Sequence, residues 1–106
     1  MNQYDLNHLL TDPSALPRST TLLRENGLRC LLLHLKTGEG IPEHQARGAI
    51  TVHCLQGEVQ FSAGAQVADL RAGMLVSLAA GDPHALAARQ ESLLLVTLSE
   101  TAAAPA

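Results

Sequence analysis

The hydrophobic residues of this chain fall into short runs from residue 20 onward, and turns containing glycine separate these runs. The turns recur at intervals of roughly eight to ten residues, a spacing typical of antiparallel sandwiches and barrels. Apolar runs this short, with glycine at their ends, favour β-strands over helices. The predicted strands are 20–23, 28–36, 41–45, 49–55, 58–62, 67–70, 74–78 and 93–98.

The first nineteen residues differ from this pattern and form a lead-in to the predicted β domain. Three leucines in it have the spacing of one helical turn, and Pro13 ends that turn. We therefore predict a short helix before the strands, followed by an extended connection. The three leucines are Leu6, Leu9 and Leu10.

Three local features refine the strand assignment. Glu25-Asn26-Gly27 has the composition of a hairpin turn between the first two strands. The leucines of 28–36 are too continuous for a half-exposed strand, so we predict a strand that is buried on both faces. Residues 85–89 are rich in alanine and leucine, and a strand and a helix fit them equally well.

Length and composition restrict the classes of function. At 106 residues the chain is long enough for one core, and we place that domain at residues 20–100, with 101–106 as a frayed tail. Aromatic residues make up 2%, so nucleotide bases would find almost nothing to stack on. The net charge is −3 with no basic patch, which argues against a nucleic acid or an anionic membrane as partner.

The chain has no apolar stretch of the roughly 20 residues that a membrane span needs. Its first residues lack the basic and apolar regions of a signal peptide, so we expect a cytoplasmic protein. In that compartment Cys30 and Cys54, which lie in apolar runs, are expected to be reduced cysteines that pack among other side chains. His34 also lies in an apolar run, and we expect it to be a structural or interface histidine.

Two glycine and histidine motifs stand out in the β-rich part of the chain, one formed by Gly38, His44 and Gly57 and the other by Gly73, Gly81 and His84. They resemble the two motifs of the small single-domain cupins, and the likeness spans residues 20–99. The first family motif is a glycine, five residues, His-x-His, three or four residues, a glutamate, six residues and a glycine. His44 and Gly57 match its first histidine and its last glycine, and Gly38 best fits the opening glycine. Ala46 stands in place of the second histidine and Ile50 in place of the glutamate.

The second family motif is a glycine, five residues, Pro-x-Gly, two residues and a histidine. Gly73, Gly81 and His84 match it, while Ala79 replaces the proline. The resemblance implies an all-β double-stranded β-helix, the cupin jelly roll, with the pocket inside the barrel. Two of the four usual metal-ligand positions carry other residues, Ala46 and Ile50.

Three interpretations of the histidines stay open at this point. In the first, His44, His53 and His84 bind zinc, nickel, iron or manganese, with water or substrate completing the shell. His53 is out of phase with Ile50 on a regular strand, and a β-bulge near Gly48 would turn it inward. In the second, two histidines bind metal weakly or not at all and the barrel holds an organic ligand. In the third, all the histidines are structural.

The resemblance thus implies a cupin that binds a divalent metal and a small molecule. If the protein is an enzyme, it implies metal-dependent oxygenase, isomerase or decarboxylase chemistry. The alternative is a non-enzymatic ligand-binding or sensory module with a vestigial metal site. We also expect a homodimer, because the leucine runs at 31–35 and 93–98 exceed what one small barrel is expected to cover.

Overall fold

The computed structural model describes residues 1–100. Within these residues nine strands form two antiparallel sheets, which confirms the predicted all-β class. The elements are a helix α1 Leu6–Thr11, a 3₁₀ turn Pro13–Ala15, and β1 Ser19–Glu25, β2 Leu28–Leu35, β3 Gly40–His44, β4 Ile50–Gln56, β5 Glu58–Ala63, β6 Gln66–Arg71, β7 Leu75–Leu78, β8 His84–Ala88 and β9 Ser92–Ser99. One sheet has the strand order β1-β2-β9-β4-β7 and the other β3-β8-β5-β6.

Local chemistry accounts for the lead-in helix and the first hairpin. The side chain of Asp5 caps α1 by accepting a hydrogen bond from the backbone N–H of His8, at 3.2 Å. Asn26 and Gly27 have φ values of 52° and 79°, as a two-residue type I′ turn requires at both central positions. Both predictions for this part of the chain, the short helix and the hairpin turn, are confirmed.

Long-range pairing decides the ambiguous segment 85–89. Strand β8 lies between β3 and β5, and its residues are paired with both neighbours. Alternate residues of β8 are buried, which is the two-residue period of a strand. The segment is therefore a central strand of its sheet.

The core lies between the two sheets. Strands β2, β4 and β9 each direct every second side chain inward, and β5, β6 and β8 face them from the other sheet. Aliphatic side chains make up almost all of this core, as the composition predicts. Its members include Leu33, Leu35, Val52, Cys54, Val59, Phe61, Leu70 and Leu94.

The outer face of β2 is buried as well at residues 31–35, which confirms the predicted burial on both faces there, whereas Leu28 at the start of the strand is exposed. The lead-in lies beside it: the carbonyl oxygen of Leu16 is 3.1 Å from Nδ1 of His34, and a Glu91 carboxylate oxygen is 2.9 Å from Nε2. His34 is only 4% exposed and Leu93, opposite it on β9, is fully buried. His34 is thus a structural histidine, and most of both leucine runs is covered within one chain. Burial within one chain therefore accounts for most of the leucine runs from which a homodimer was predicted.

The two cysteines are free thiols. Cys54 is fully buried in the core, and burial raises the pKa of its thiol, with the charge of Glu58 adding to the effect and a hydrogen bond with the backbone of Gln56 opposing it. Cys30 is half-buried on the opposite face, where Thr97 donates a hydrogen bond to its sulfur at 3.7 Å. No helix within residues 1–100 is long and apolar enough to cross a membrane.

Candidate functional site

A cavity of about 270 Å³ opens between the two sheets at one end of the barrel. Among residues 1–100 four polar side chains line it, and no aspartate or glutamate does. The rest of the lining is aliphatic and includes Leu31, Leu33, Val52, Leu86, Val96 and Leu98. The polar four are Arg29, His44, Gln45 and His84.

Strand ends place these polar side chains together. His44 is the last residue of β3 and His84 the first residue of β8, and the two are directly opposite each other in the register. An irregularity in the pairing between Ile41 and His44 precedes this contact. The ring centroids are 4.1 Å apart with an angle of 61° between the planes. Two histidines from distant parts of the chain thus form one edge-to-face pair.

Both rings are oriented by backbone carbonyl groups. Nδ1 of His44 donates to the carbonyl oxygen of Pro42, and Nδ1 of His84 donates to that of Asp82, each at 3.0 Å. A carbonyl oxygen only accepts, so in the neutral ring the hydrogen is on Nδ1 and the lone pair on Nε2. Each Nε2 is then able to accept a hydrogen bond or to bind a metal ion.

The two histidines differ in burial. His84 is 2% exposed and stacks on Phe61, with centroids 5.7 Å apart and an angle of 12° between the planes. His44 is exposed at the rim of the cavity. His84 is therefore part of the packed core, whereas His44 is a rim residue.

Arg29, the second residue of β2, is a lining residue that the sequence analysis did not identify. It lies in phase with Leu31, Leu33 and Leu35, whose side chains face inward. Its Nε atom is buried and has no hydrogen-bond partner among residues 1–100. A charged residue at an inward position of a leucine-rich strand is the signal that could have revealed it.

The comparison with known proteins agrees with this architecture. The family model for the Cupin domain matches residues 31–99, which is well over half of the chain.

The chain belongs to the cupin family.

Solved structures support the assignment of this cupin. A cupin superfamily protein from Desulfitobacterium hafniense is 23% identical, with a TM-score of 0.75 over 78% of this chain and 76% of its own. A conserved protein of unknown function from Streptococcus pyogenes is 26% identical, with a TM-score of 0.74 over 80% and 75%. A cupin-2 domain protein from Shewanella frigidimarina is 15% identical with a TM-score of 0.74, over 91% and 93%. The predicted cupin jelly roll is confirmed, while a search of the curated proteins found no relative.

Two of the family's four usual ligand positions lie in the cavity lining but carry aliphatic side chains. Ala46 and Ile50 both line the cavity at the places where the family pattern has a histidine and a glutamate. Their methyl groups offer no lone pair to a metal. The structure thus preserves the geometry of the pocket and lacks two of its expected ligands.

His53 does not join the pair in this structure. Ile50, Val52 and Cys54 are buried on the inner face of β4, and His53 lies between them in phase with the opposite face. The register irregularity of β4 falls between Cys54 and Gln56, beyond His53, so it does not turn this side chain inward. Of the three histidines predicted as metal ligands, the structure brings together His44 and His84.

Two imidazoles alone do not fit a resident catalytic metal. Such sites usually take three protein ligands and leave one position open for water or substrate. Among residues 1–100 no cluster of three or more histidine, cysteine, aspartate or glutamate residues is arranged to hold a metal ion. A metal at this pair would need further donors from water or from a bound ligand.

Proposed function

We propose that this cupin binds a small organic molecule inside its barrel. The observation that carries the proposal is the cavity itself, an aliphatic chamber of about 270 Å³ with a few polar side chains at one end. Ligand sites are usually concave and mostly apolar, with a small number of polar groups that orient the ligand. At about 30 Å³ per water molecule, the cavity holds a ligand of about nine non-hydrogen atoms.

The histidine pair places two hydrogen-bond acceptors in this site. With Nδ1 held by carbonyl oxygens, His44 and His84 present Nε2 as acceptors for a hydroxyl or amino group of the ligand. Buried Phe61 supports His84 from behind and fixes its plane. The function proposed is therefore recognition of an apolar molecule that carries at least one polar group.

Benzyl alcohol is a suitable first probe because it has the right size, an apolar ring and one hydroxyl group. We expect it to shift the methyl NMR signals of Ile50, Val96 and Leu86 in a saturable way. Ala46→Phe should abolish this response because the new ring would fill the cavity from its rim. Ala80→Phe, an exposed position outside the lining, should leave the response intact.

The experiment has a clear negative result. If benzyl alcohol, benzamide and benzoate all leave the cavity methyl signals unchanged at millimolar concentration, the proposed function is wrong. A response that survives unchanged in Ala46→Phe would also contradict it, since binding would then be elsewhere.

A second candidate is a divalent transition metal held by His44 and His84, as predicted from the family resemblance. The orientation of both rings favours it, because histidine ligands of metals commonly donate their other ring N–H to a carbonyl or carboxylate oxygen. Zinc, nickel, iron and manganese all accept imidazole ligands. The absence of a third protein ligand makes this the weaker candidate.

Metal content distinguishes the two candidates. If the metal site exists, protein purified without chelators should carry near-stoichiometric metal by mass spectrometry, and His44→Ala should lose most of it. His44 is the residue to change because it is exposed, so its removal leaves the core intact. His53→Gln, on the outer face of β4, is the matched control and should retain the metal. Metal-free wild-type protein with normal circular dichroism would exclude this candidate.

A further inference from the structure

We propose that the ligand of the cavity is a compact apolar carboxylate, and that Arg29 binds its carboxylate group. This inference rests on the proposed function, because it names the chemical class of the molecule inside the barrel. It starts from the charged residue of the lining, whose buried Nε has no partner among residues 1–100.

A buried hydrogen-bond donor without a partner is uncommon, since most buried polar groups in proteins are paired. Leaving such a donor unpaired costs free energy, and a ligand that pairs it recovers that cost. Arg29 also makes no ion pair with any carboxylate of residues 1–100. The unsatisfied group thus belongs to a side chain that lines the candidate binding site.

Arg24, on the neighbouring strand, is an example of a guanidinium group that is paired within this chain. Arg24 is directly opposite Arg29 in the β1–β2 register. Its Nε and Nη2 atoms donate to the two carboxylate oxygens of Glu100, both at 2.9 Å. One arginine of this cross-strand pair therefore has a two-point carboxylate partner, while the other lines the cavity and has no such partner among residues 1–100.

The charge of the cavity selects the ligand class. No acidic side chain of the described residues 1–100 lines the cavity, so a cationic ligand would be repelled by Arg29 without a compensating negative charge. The guanidinium fork matches the two oxygens of a carboxylate and binds it through two parallel hydrogen bonds. The aliphatic remainder of the lining requires that the body of this ligand be apolar. A small aromatic or branched aliphatic acid has both properties.

Benzoate and benzamide are a matched pair of probes for this proposal. The two molecules have the same shape and the same number of non-hydrogen atoms, and only benzoate carries a negative charge at neutral pH. We expect wild-type protein to bind benzoate at least about tenfold more tightly than benzamide, measured by titration of the cavity methyl NMR signals.

Variants of the two opposed arginines identify the group responsible. Arg29→Gln should reduce the affinity for benzoate to that for benzamide and leave benzamide binding nearly unchanged. Arg29→Lys keeps the charge without the fork and should give an intermediate affinity. Arg24→Gln removes the same charge from the next strand, at an exposed ion pair, and should leave the preference for benzoate intact.

The outcomes separate this inference from the proposed function. If benzamide enters the cavity of the wild-type protein and benzoate binds no more tightly, the carboxylate inference is overturned while ligand binding stands. If Arg24→Gln weakens benzoate binding as much as Arg29→Gln does, the preference reflects net charge and the role of Arg29 is also overturned. If neither probe nor benzyl alcohol perturbs the cavity, both proposals fail together.

Discussion

Gly57→Ala is expected to lower the free energy of unfolding by at least about 3 kcal/mol, because it combines backbone strain with a steric clash. Gly57 turns the chain from β4 into β5 with a φ of 92°, in the region that L side chains rarely adopt. A Cβ at this position would lie closer than 3.0 Å to Ser92 and to the carbonyl oxygen of Glu91. Ser92 is 1% exposed and its hydroxyl accepts a hydrogen bond from the N–H of Glu58, so it has little room to move.

Gly73→Ala is the matched control for this prediction. Its φ is 90°, but apart from its two chain neighbours no residue among 1–100 has an atom within 4 Å of the position that a Cβ would take. Gly73→Ala should therefore lower the free energy of unfolding only by the cost of backbone strain, about 1–2 kcal/mol. Urea denaturation of the two variants measures the difference directly. Equal losses of stability would show that the packing of Gly57 against β9 contributes nothing beyond its φ.

His84→Ala is expected to cost about 3 kcal/mol of stability, although His84 is also a candidate ligand-binding residue. The ring is almost fully buried and stacks on Phe61, and its Nδ1 donates to the carbonyl oxygen of Asp82. Alanine would leave a cavity where the ring stood and would remove both of these interactions. The loss should appear in urea denaturation without any ligand present.

His44→Ala should change stability by no more than about 0.5 kcal/mol, because its side chain is exposed at the rim. The two histidines contact each other, so comparing the stability of His44→Ala with that of His84→Ala distinguishes the contribution of the buried ring from that of the exposed ring. Similar losses in both variants would mean that the contact between the rings, rather than the burial of His84 against Phe61, stabilises this end of the barrel.

The strands and their turns could be predicted from the sequence because their signals are local. A turn such as Asn26–Gly27 is encoded by adjacent residues, and the uninterrupted run of leucines in β2 itself indicates that this part of the strand is buried. Segment 85–89 could not be decided in this way. Its composition fits two structures, and the choice depends on β3 and β5, which pair with it from distant parts of the chain.

The candidate site could be predicted only in part, since it depends on which way side chains point. The pairing of His44 with His84 follows from two motifs that the sequence shows plainly. The orientation of His53 depends on where β4 deviates from regular pairing, and that place is set by contacts with β9. The unpaired Nε of Arg29 is a property of the packed cavity, and no local pattern encodes it.

The contact between the lead-in and β2 has a consequence for how the protein is divided into units. The family model begins at residue 31, within β2, whereas β1 pairs with β2 from Ser19 onward and Leu16 reaches His34. A fragment trimmed to the family boundaries would lose that partner strand and turn a leucine-rich strand into an open sheet edge, which invites aggregation. The smallest piece that can be expected to stay soluble and fold on its own is therefore longer than the piece that identifies the family.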